Sequence, residues 1–594
     1  VPDRSVKVGV RKGIACVPPE QALSNRQIAD IFDTIADMLL LKGEIIHRVL
    51  AYRRVAESIR DLPRDVRAIA DEGRLQDIPD VGKVIAEKLT ELLETGRLEF
   101  YERLKEEIPS GLVDVLRVNG VGPKKAMRFY KELGISSIPA LEAAAQAGKL
   151  HVLSGMGEKS EKQILESIAA LARRTTRIRI DAALAAAERL LRPLLALPGV
   201  ACGDIAGSLR RGRATIGDLD LLIGAHDAGP IMDAFVAHPD VERVLGQGPT
   251  RSAVELRSGQ QCDLRVVTPE RYGTALSYFT GSKEHNVRLR ELAKDRGLSL
   301  NEWAFTPLDG SPEILCDTEA AVYAQLDLPW IPPELREDRG EIEAAQRGEM
   351  PALVSMEDIR ADLHMHTNWS DGKLSVREMA WIARERGLSY IVITDHSQSL
   401  GVANGLSVER LRAQREEIRA VDAEMGPGFR VFQGVEMEIR ADGQLDYPDD
   451  VLAELDVVIA SLHTSLRQER AAITARLLNA IRNPHVDIIG HPRGQLIPDR
   501  EPADLDMDAV FAAARETDAA LEINASPYRL DLDDVHARQA SELGVRLAIN
   551  TDSHTAADFD MLRFGVITAR RGQVGPEDVI NTWPVEQFIA WIES

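Results

Sequence analysis

The chain has 594 residues, 44% of them hydrophobic, with 94 acidic against 72 basic side chains and a formal net charge of -22. That length exceeds what one hydrophobic core supports, so several domains are expected. No run of the ~18 apolar residues that a membrane span needs occurs, and residues 1–21 lack the apolar stretch and cleavage site of a signal peptide, so a soluble, cytoplasmic protein without membrane contact is expected.

The four cysteines, Cys16, Cys202, Cys262 and Cys316, are scattered without CxxC spacing. This argues against a disulfide framework and against a thiolate zinc site. The charge is unevenly spread. Residues 1–330 hold 45 basic and 47 acidic side chains, whereas residues 331–594 hold 27 and 47. Within the near-neutral part, basic runs such as Arg53-Arg54, Lys124-Lys125 and Arg173-Arg174 are spaced as if along a groove, with solvated helix faces as the alternative.

Residues 25–175 repeat apolar positions at about 3.6 residues, broken by Gly and Pro, and are expected to form short helices. Three segments share one pattern: IPDVGKVIAEKL (78–89), VNGVGPKKAMRF (118–129) and LSGMGEKSEKQI (153–164). Each sets a Gly turn before a helix, where unpaired N–H groups and the positive dipole end receive a phosphate without reading a base. The turns are carried by Gly82, by Gly120 and Gly122, and by Gly155 and Gly157. They resemble helix-hairpin-helix motifs, although the first has Asp80 where the pattern has glycine.

The segment AGSLRRGRATIGDLDLLI (206–223) places Asp218 and Asp220 two apart in an apolar run, so both carboxylates leave one face of a strand. A second strand, QQCDLRVV (261–268), adds Asp263. Three carboxylates on one face repel unless a divalent cation sits among them, and Mg2+ or Mn2+ is expected. Two such ions suit nucleotidyl transfer. Upstream, Gly207, Ser208, Arg210 and Arg211 offer backbone, hydroxyl and guanidinium donors for a triphosphate. YFTGSKEHNVRLR (278–290) adds an aromatic pair, a Gly turn, Asn286 and Arg290 for sugar, base edge and template.

With these motifs, residues 25 to about 332 resemble a family X DNA polymerase of the polymerase beta group. The resemblance implies a flexible tail (1–24), a lyase-like helical domain (25–105), fingers with helix-hairpin-helix motifs (106–175), an α/β nucleotidyltransferase palm (176–267) and a thumb (268–332). It implies that Asp218 and Asp220 bind both metals and that Asp263 binds the catalytic one and takes the primer hydroxyl proton. Ser208 and Arg211 would hold the triphosphate, with Gly207 and Gly217 in the same nucleotide pocket. Tyr278, Phe279 and Gly281 would form the sugar-sensing turn, Asn286 would touch the nucleobase, and Arg290 would contact DNA. Ile216 stands where that group has a phosphate-contacting serine. Lys88 matches the position of the Schiff-base lysine that attacks an abasic sugar, with a surface helix lysine as the alternative.

Residues 333–357 are charged, Pro-flanked and poor in apolar residues, and read as a linker. Beyond it strands alternate with helices, the grammar of a parallel barrel. His364, His366, His396, Glu436, His463, His491, Asp552 and His554 fall at the C-terminal ends of apolar strands, where barrel sites gather, and Asp371 follows in the first loop. Six of the thirteen histidines lie at these positions, which core packing does not account for. Mixed imidazole and carboxylate donors suit Zn2+, Mn2+ or Fe2+, and nine of them imply more than one ion.

Residues 358–594 resemble the polymerase and histidinol phosphatase (PHP) domain, a distorted α/β barrel whose nine ligand positions all match. The whole is identified as a member of the bacterial family X polymerases. A monomer acting on a primer-template or gapped duplex with dNTPs is expected, filling short gaps in DNA repair, including base excision repair. The barrel is expected to act as a 3'-5' exonuclease, with abasic-site cleavage as an addition. The alternatives are a polymerase with an inactive, metal-stabilised PHP scaffold, and a small-molecule nucleotidyltransferase, which would need no DNA clamp.

Overall fold

The computed structural model describes residues 23, 25–60, 62, 66–116, 118, 120–153, 156, 157, 160–165, 167, 168 and 177–593. Cys16, Gly155, Arg173, Arg174 and most of the 1–24 tail lie outside these residues. The chain divides into two compact units, Val1–Thr175 and Thr176–Ser594. No helix among the described residues is long and apolar enough to cross a membrane.

Among the described residues the first unit has helices and no strand, from Asn25–Lys42 through Ile138–Gln146 and beyond. Its core follows from the helical period: Ile28, Phe32, Ile35 and Leu39 line one face of the first helix and meet Val55, Leu89, Leu112 and Phe129. Gly82 and Gly122 precede the helices Lys83–Thr95 and Pro123–Leu133 in extended conformation, and no side chain caps either start. Asp80 (φ +63) takes the left-handed turn that Gly120 (φ +87) takes in the second hairpin. Asp is among the few side chains that tolerate this region, so the missing glycine leaves the hairpin's shape intact. The Asp80 charge is met by Arg54 at 3.2 Å.

The second unit contains a five-stranded and a seven-stranded sheet, besides two two-stranded pairs. The palm strands are β1 (Val200–Ile205), β2 (Asp218–Ala225), β3 (Val241–Gln247), β4 (Arg251–Leu256) and β5 (Gln261–Val267), in the order β1-β2-β5-β4-β3. β2 and β5 are parallel, and the other pairs are antiparallel. Inward residues Leu219, Leu221, Ile223, Cys262 and Leu264 pack on the helix Ile180–Leu195. The thumb follows as helices Tyr272–Thr280, Lys283–Asp295 and Glu319–Ala324 with a short hairpin.

Residues 333–357 are not an open spacer. They form the turns Pro333–Leu335 and Met356–Asp358 and the helix Glu341–Arg347, and Arg336 is 0% exposed. The apolar-poor composition misleads because the charges here are paired inward: Arg336 Nη1 donates to Glu319 Oε1 (2.6 Å), and Glu341 Oε1 meets His285 Nδ1 (2.6 Å).

The barrel strands are β6 (Ala361–Asp362), β7 (Tyr390–Ile393), β8 (Arg430–Glu438), β9 (Val457–Ser461), β10 (Ile488–Gly490), β11 (Ala520–Asn524) and β12 (Leu547–Asn550). They pair in chain order and all in parallel. A single bridge between Met365 and Ser553 brings the first segment beside the last, so the barrel nearly closes. Helices such as Val376–Glu385 and Val408–Met425 pack outside the barrel, which the near-continuous apolar strands require. Leu530 and Phe564 of the barrel side belong to the palm's own buried cluster.

Candidate functional site

The palm brings three carboxylates together. Asp220 and Asp263 are direct register partners on β2 and β5, and Asp218 lies two residues back on the same face. Burial, then Asp218 and Asp263, push the Asp220 carboxyl up to about 7. Asp263 accepts from Arg251 Nη2 (3.0 Å) and Gln261 Nε2 (2.6 Å). A Cβ on Gly207 (φ +63) would stand 2.1 Å from Asp220 Oδ2, so only glycine fits this approach.

Around them, Arg211 donates from Nη1 to Thr280 O (2.6 Å) and from Nε to Glu337 Oε1 (3.1 Å). A Cβ on Gly281 (φ +68) would be 3.3 Å from Arg211 Nη1, which places the thumb turn against this arm. Tyr278 and Phe279 meet edge to face at 5.2 Å, and Arg265 stacks over Phe279 at 4.3 Å. Asn286 Nδ2 donates to Tyr278 O (2.7 Å). Asn286, Tyr278 and exposed Arg290 line one small cleft. Ser208 lies in the short helix Gly207–Arg210, and Gly217 sits just before Asp218, its α-carbon facing Arg177.

Arg210 departs from the expectation of a triphosphate donor. Its guanidinium grips Glu319 with both Nη atoms, at 2.7 and 2.9 Å, and Thr280 Oγ1 at 2.6 Å, so it ties palm to thumb. Arg177, Arg251, Gln261 and Arg265 were not legible as site residues. Gln261 and Arg265 do flank Asp263 on alternate positions of β5, which is the signal a strand reading offers.

All nine barrel residues converge. His366, Asp371, His396 and His554 form one group able to hold an ion, His364, His366, Glu436 and Asp552 a second, and His396, Glu436 and His463 a third. His491 joins through Nε2 at 2.8 Å from Glu436 Oε1. The rings crowd to 4.3 Å between His366 and His396 and 4.4 Å between His366 and His554.

The donor set fits metal ions. His364 Nε2, both nitrogens of His366, His396 Nδ1, Glu436 Oε2 and His491 Nδ1 are buried without a hydrogen-bond partner. Such orphans are costly unless a cation accepts their lone pairs. Two contacts among them are close without hydrogen-bond alignment: His396 Nδ1 to Glu436 Oε2 at 2.9 Å and His366 Nε2 to Asp552 Oδ1 at 3.0 Å. His491 (φ +28) and Asp552 (φ +57) hold left-handed backbone, strain of a kind that concentrates at functional sites. Burial works against charge on His396, yet Glu436 and Asp371 push it up to about 10. His366 is pushed down to about 4, first by burial and then by His396 beside it.

Two supporting carboxylates were missed. Glu522 on β11 takes His364 Nδ1 (2.7 Å) and the His491 N–H (2.7 Å), and Glu438 takes His463 Nδ1 (2.7 Å). Each fixes a tautomer so that the other nitrogen faces inward. A charged residue inside an apolar strand was the available signal. Arg493, two residues past His491, is bound to Asp533. Arg529 lies 3.5 Å from Asp552 Oδ2, and its buried Nη1 has no hydrogen-bond partner.

In the first unit, Lys88 Nζ stands 3.8 Å over the Phe100 ring. Burial lowers its pKa, Glu91 opposes this, and Arg103 and Arg48 add to it.

Family models match in four places: a helix-hairpin-helix domain over residues 23–98, a SAM-like helix-hairpin-helix tandem over 112–170, the DNA polymerase beta thumb over 275–337 and the PHP domain over 362–526. The chain is 38% identical over 573 residues to the DNA polymerase/3'-5' exonuclease PolX of Bacillus subtilis (strain 168), covering 96% of this chain and 100% of that one. A probable phosphatase of Thermoanaerobacter sp. (strain X514) is 32% identical over 233 residues, 37% of this chain and 89% of its own length. A probable phosphatase of Caldanaerobacter subterraneus is 34% identical over 246 residues, 39% of this chain and 91% of its own length.

Proposed function

Because the chain belongs to the bacterial family X DNA polymerases that carry a C-terminal PHP domain, we propose that it fills short gaps in duplex DNA during repair and resects 3' ends with its barrel. Asp220 and Asp263 in register on adjacent parallel strands, with Asp218 on the same face, carry the synthetic half of this reading. Asp263 orients toward the primer 3'-hydroxyl and receives its proton, held by Arg251 and Gln261. Arg211, Ser208 and the Gly207 backbone receive the triphosphate, the Tyr278–Gly281 turn reads the sugar, and Asn286 meets the base edge.

In the barrel, the eight grouped donors, with His491 beside Glu436, would hold the ions, and Arg529 beside Asp552 would supply positive charge to the scissile phosphate. Mg2+ or Mn2+ in the palm, and Zn2+, Mn2+ or Fe2+ in the barrel, would supply Lewis acidity and neutralise phosphate charge. The hairpins of the first unit offer backbone N–H groups to DNA phosphates, so binding is sequence-independent and weakens as salt rises. The protein acts as a monomer on DNA and dNTP.

The test is extension and resection on two substrates, a one-nucleotide gap and a 3'-recessed end, with Asp218→Ala and His366→Ala variants. Loss of extension alone in the first and of resection alone in the second supports the reading. Parent-like extension by Asp218→Ala overturns the palm assignment.

A further inference from the structure

The barrel reaches into the palm through one helix. Leu562–Arg571 starts a few residues after the loop bearing Asp552 and His554, and its last residue, Arg571, is buried against the nucleotide arm. Arg571 Nη1 donates to the Arg211 carbonyl (2.6 Å) and to Glu337 Oε1 (3.0 Å), while Nη2 donates to Asp534 Oδ2 (2.9 Å). Glu337 Oε1 is the same oxygen that the Arg211 side chain contacts at 3.1 Å, with Arg213 at 3.8 Å.

The arm between them is clamped. Gly212 (φ +71) lies so close to this helix that a Cβ there would be 2.2 Å from Ile567 Cγ2. Phe564 of the helix enters the palm core. Backbone and side chain of Arg211 are thus both referred to a single guanidinium of the barrel.

We propose that Arg571 is a positioning residue for nucleotide addition: from the barrel it sets the Arg211 arm that receives the incoming triphosphate. The inference rests on the reading of Arg211 as a nucleotide-binding residue. With Arg571 present, Glu337 divides its charge among three guanidiniums, and the Arg211 donors outside its two bonds stay available to phosphate. Without Arg571, Glu337 competes with the triphosphate for Arg211, and the Arg211 backbone loses its anchor.

The experiment is steady-state gap filling by the full chain, separating KM for dNTP from kcat, on Arg571→Ala, Arg571→Lys, Glu337→Gln, Arg211→Ala and the Arg211→Ala, Arg571→Ala pair. Arg571→Ala should raise KM about tenfold with kcat little changed, Lys should restore part of it, and the pair should be no worse than Arg211→Ala alone. Retained 3' resection reports that each variant is folded, because Arg571 touches none of the barrel donors. A parent-like KM in Arg571→Ala beside a raised KM in Arg211→Ala overturns the inference and spares the pocket reading. A parent-like KM in Arg211→Ala overturns the pocket reading itself, and this inference with it. Should Arg571→Ala fail to fold, Arg571→Lys decides: a KM above the parent's with resection retained supports the proposal, and a parent-like KM overturns it; Glu337→Gln, which removes the competing charge, should not raise KM, and a KM raised as far as in Arg211→Ala overturns the competition.

Discussion

Asp220 and Asp263 stand side by side as register partners on neighbouring parallel strands, and only Asp263 has cationic and amide donors on its carboxylate. The pair therefore differs in hydrogen bonding although the two side chains are chemically identical. Asp263→Asn should lower nucleotide addition by about 10²–10³-fold or more while leaving resection and melting temperature near the parent, because the fold needs no charge there. Single-turnover extension on gapped DNA checks this.

Asp220 also makes a pH dependence. Its carboxyl is raised from 3.8 to about 7, so the metal-free folded state holds a proton more tightly than the unfolded chain. Its stability contribution is full below pH 3.8 and is lost as pH rises toward about 7. A divalent ion must displace that proton, so Mg2+ affinity should rise with pH up to about 7 and then level off. Extension at subsaturating Mg2+ across pH, compared with denaturation in chelator, measures both; a flat Mg2+ affinity between pH 5 and 7 counts against it.

The barrel donors should separate from the palm. His366→Ala or Asp552→Ala should abolish 3' resection and keep gap filling. Glu522→Gln, which touches only His364 and the His491 N–H among the donors, should weaken metal retention by about 10–100-fold. Metal content after dialysis against graded chelator is the measurement, and parent-like retention contradicts the supporting role.

Abasic DNA tests the Lys88 amine. Its amine, which stands over Phe100, is held below the usual lysine range by burial, with Arg103 and Arg48 adding to it against Glu91. A Schiff base trapped by borohydride on abasic DNA should form with the parent and vanish in Lys88→Ala, with trapping rising as pH passes the lowered pKa. Equal trapping in the variant assigns the adduct to another amine.

Truncation near residue 332 should not yield a sound polymerase half. It removes Arg336, buried against Glu319, together with Leu530 and Phe564 from the palm core. A fall in melting temperature and in soluble yield is expected, larger than for a cut in an exposed spacer, because buried Glu319 keeps only Arg210 of its two guanidinium partners and apolar surface is uncovered. Thermal melts of the truncated and full chains compare them.

What the sequence determined by itself follows from periodicity. Alternation on a strand put Asp218 and Asp220 on one face, and recurrence at strand ends placed eight of the nine barrel donors, with Asp371 in the loop after the first strand. Within a strand these are local geometries, set by neighbours in sequence. The tertiary structure alone decided which donors are engaged elsewhere. Arg210 and Arg211 are adjacent and chemically alike, yet one grips Glu319 and the other faces the thumb turn. Arg493 turns to Asp533 while Arg529 takes the place beside Asp552. The charged stretch around Arg336 reads as solvent-facing until its partners in distant segments are known. The reason is physical: a side chain's period is set by its neighbours in sequence, but its electrostatic partner is set by packing between segments hundreds of residues apart, as with Arg571 and Arg211.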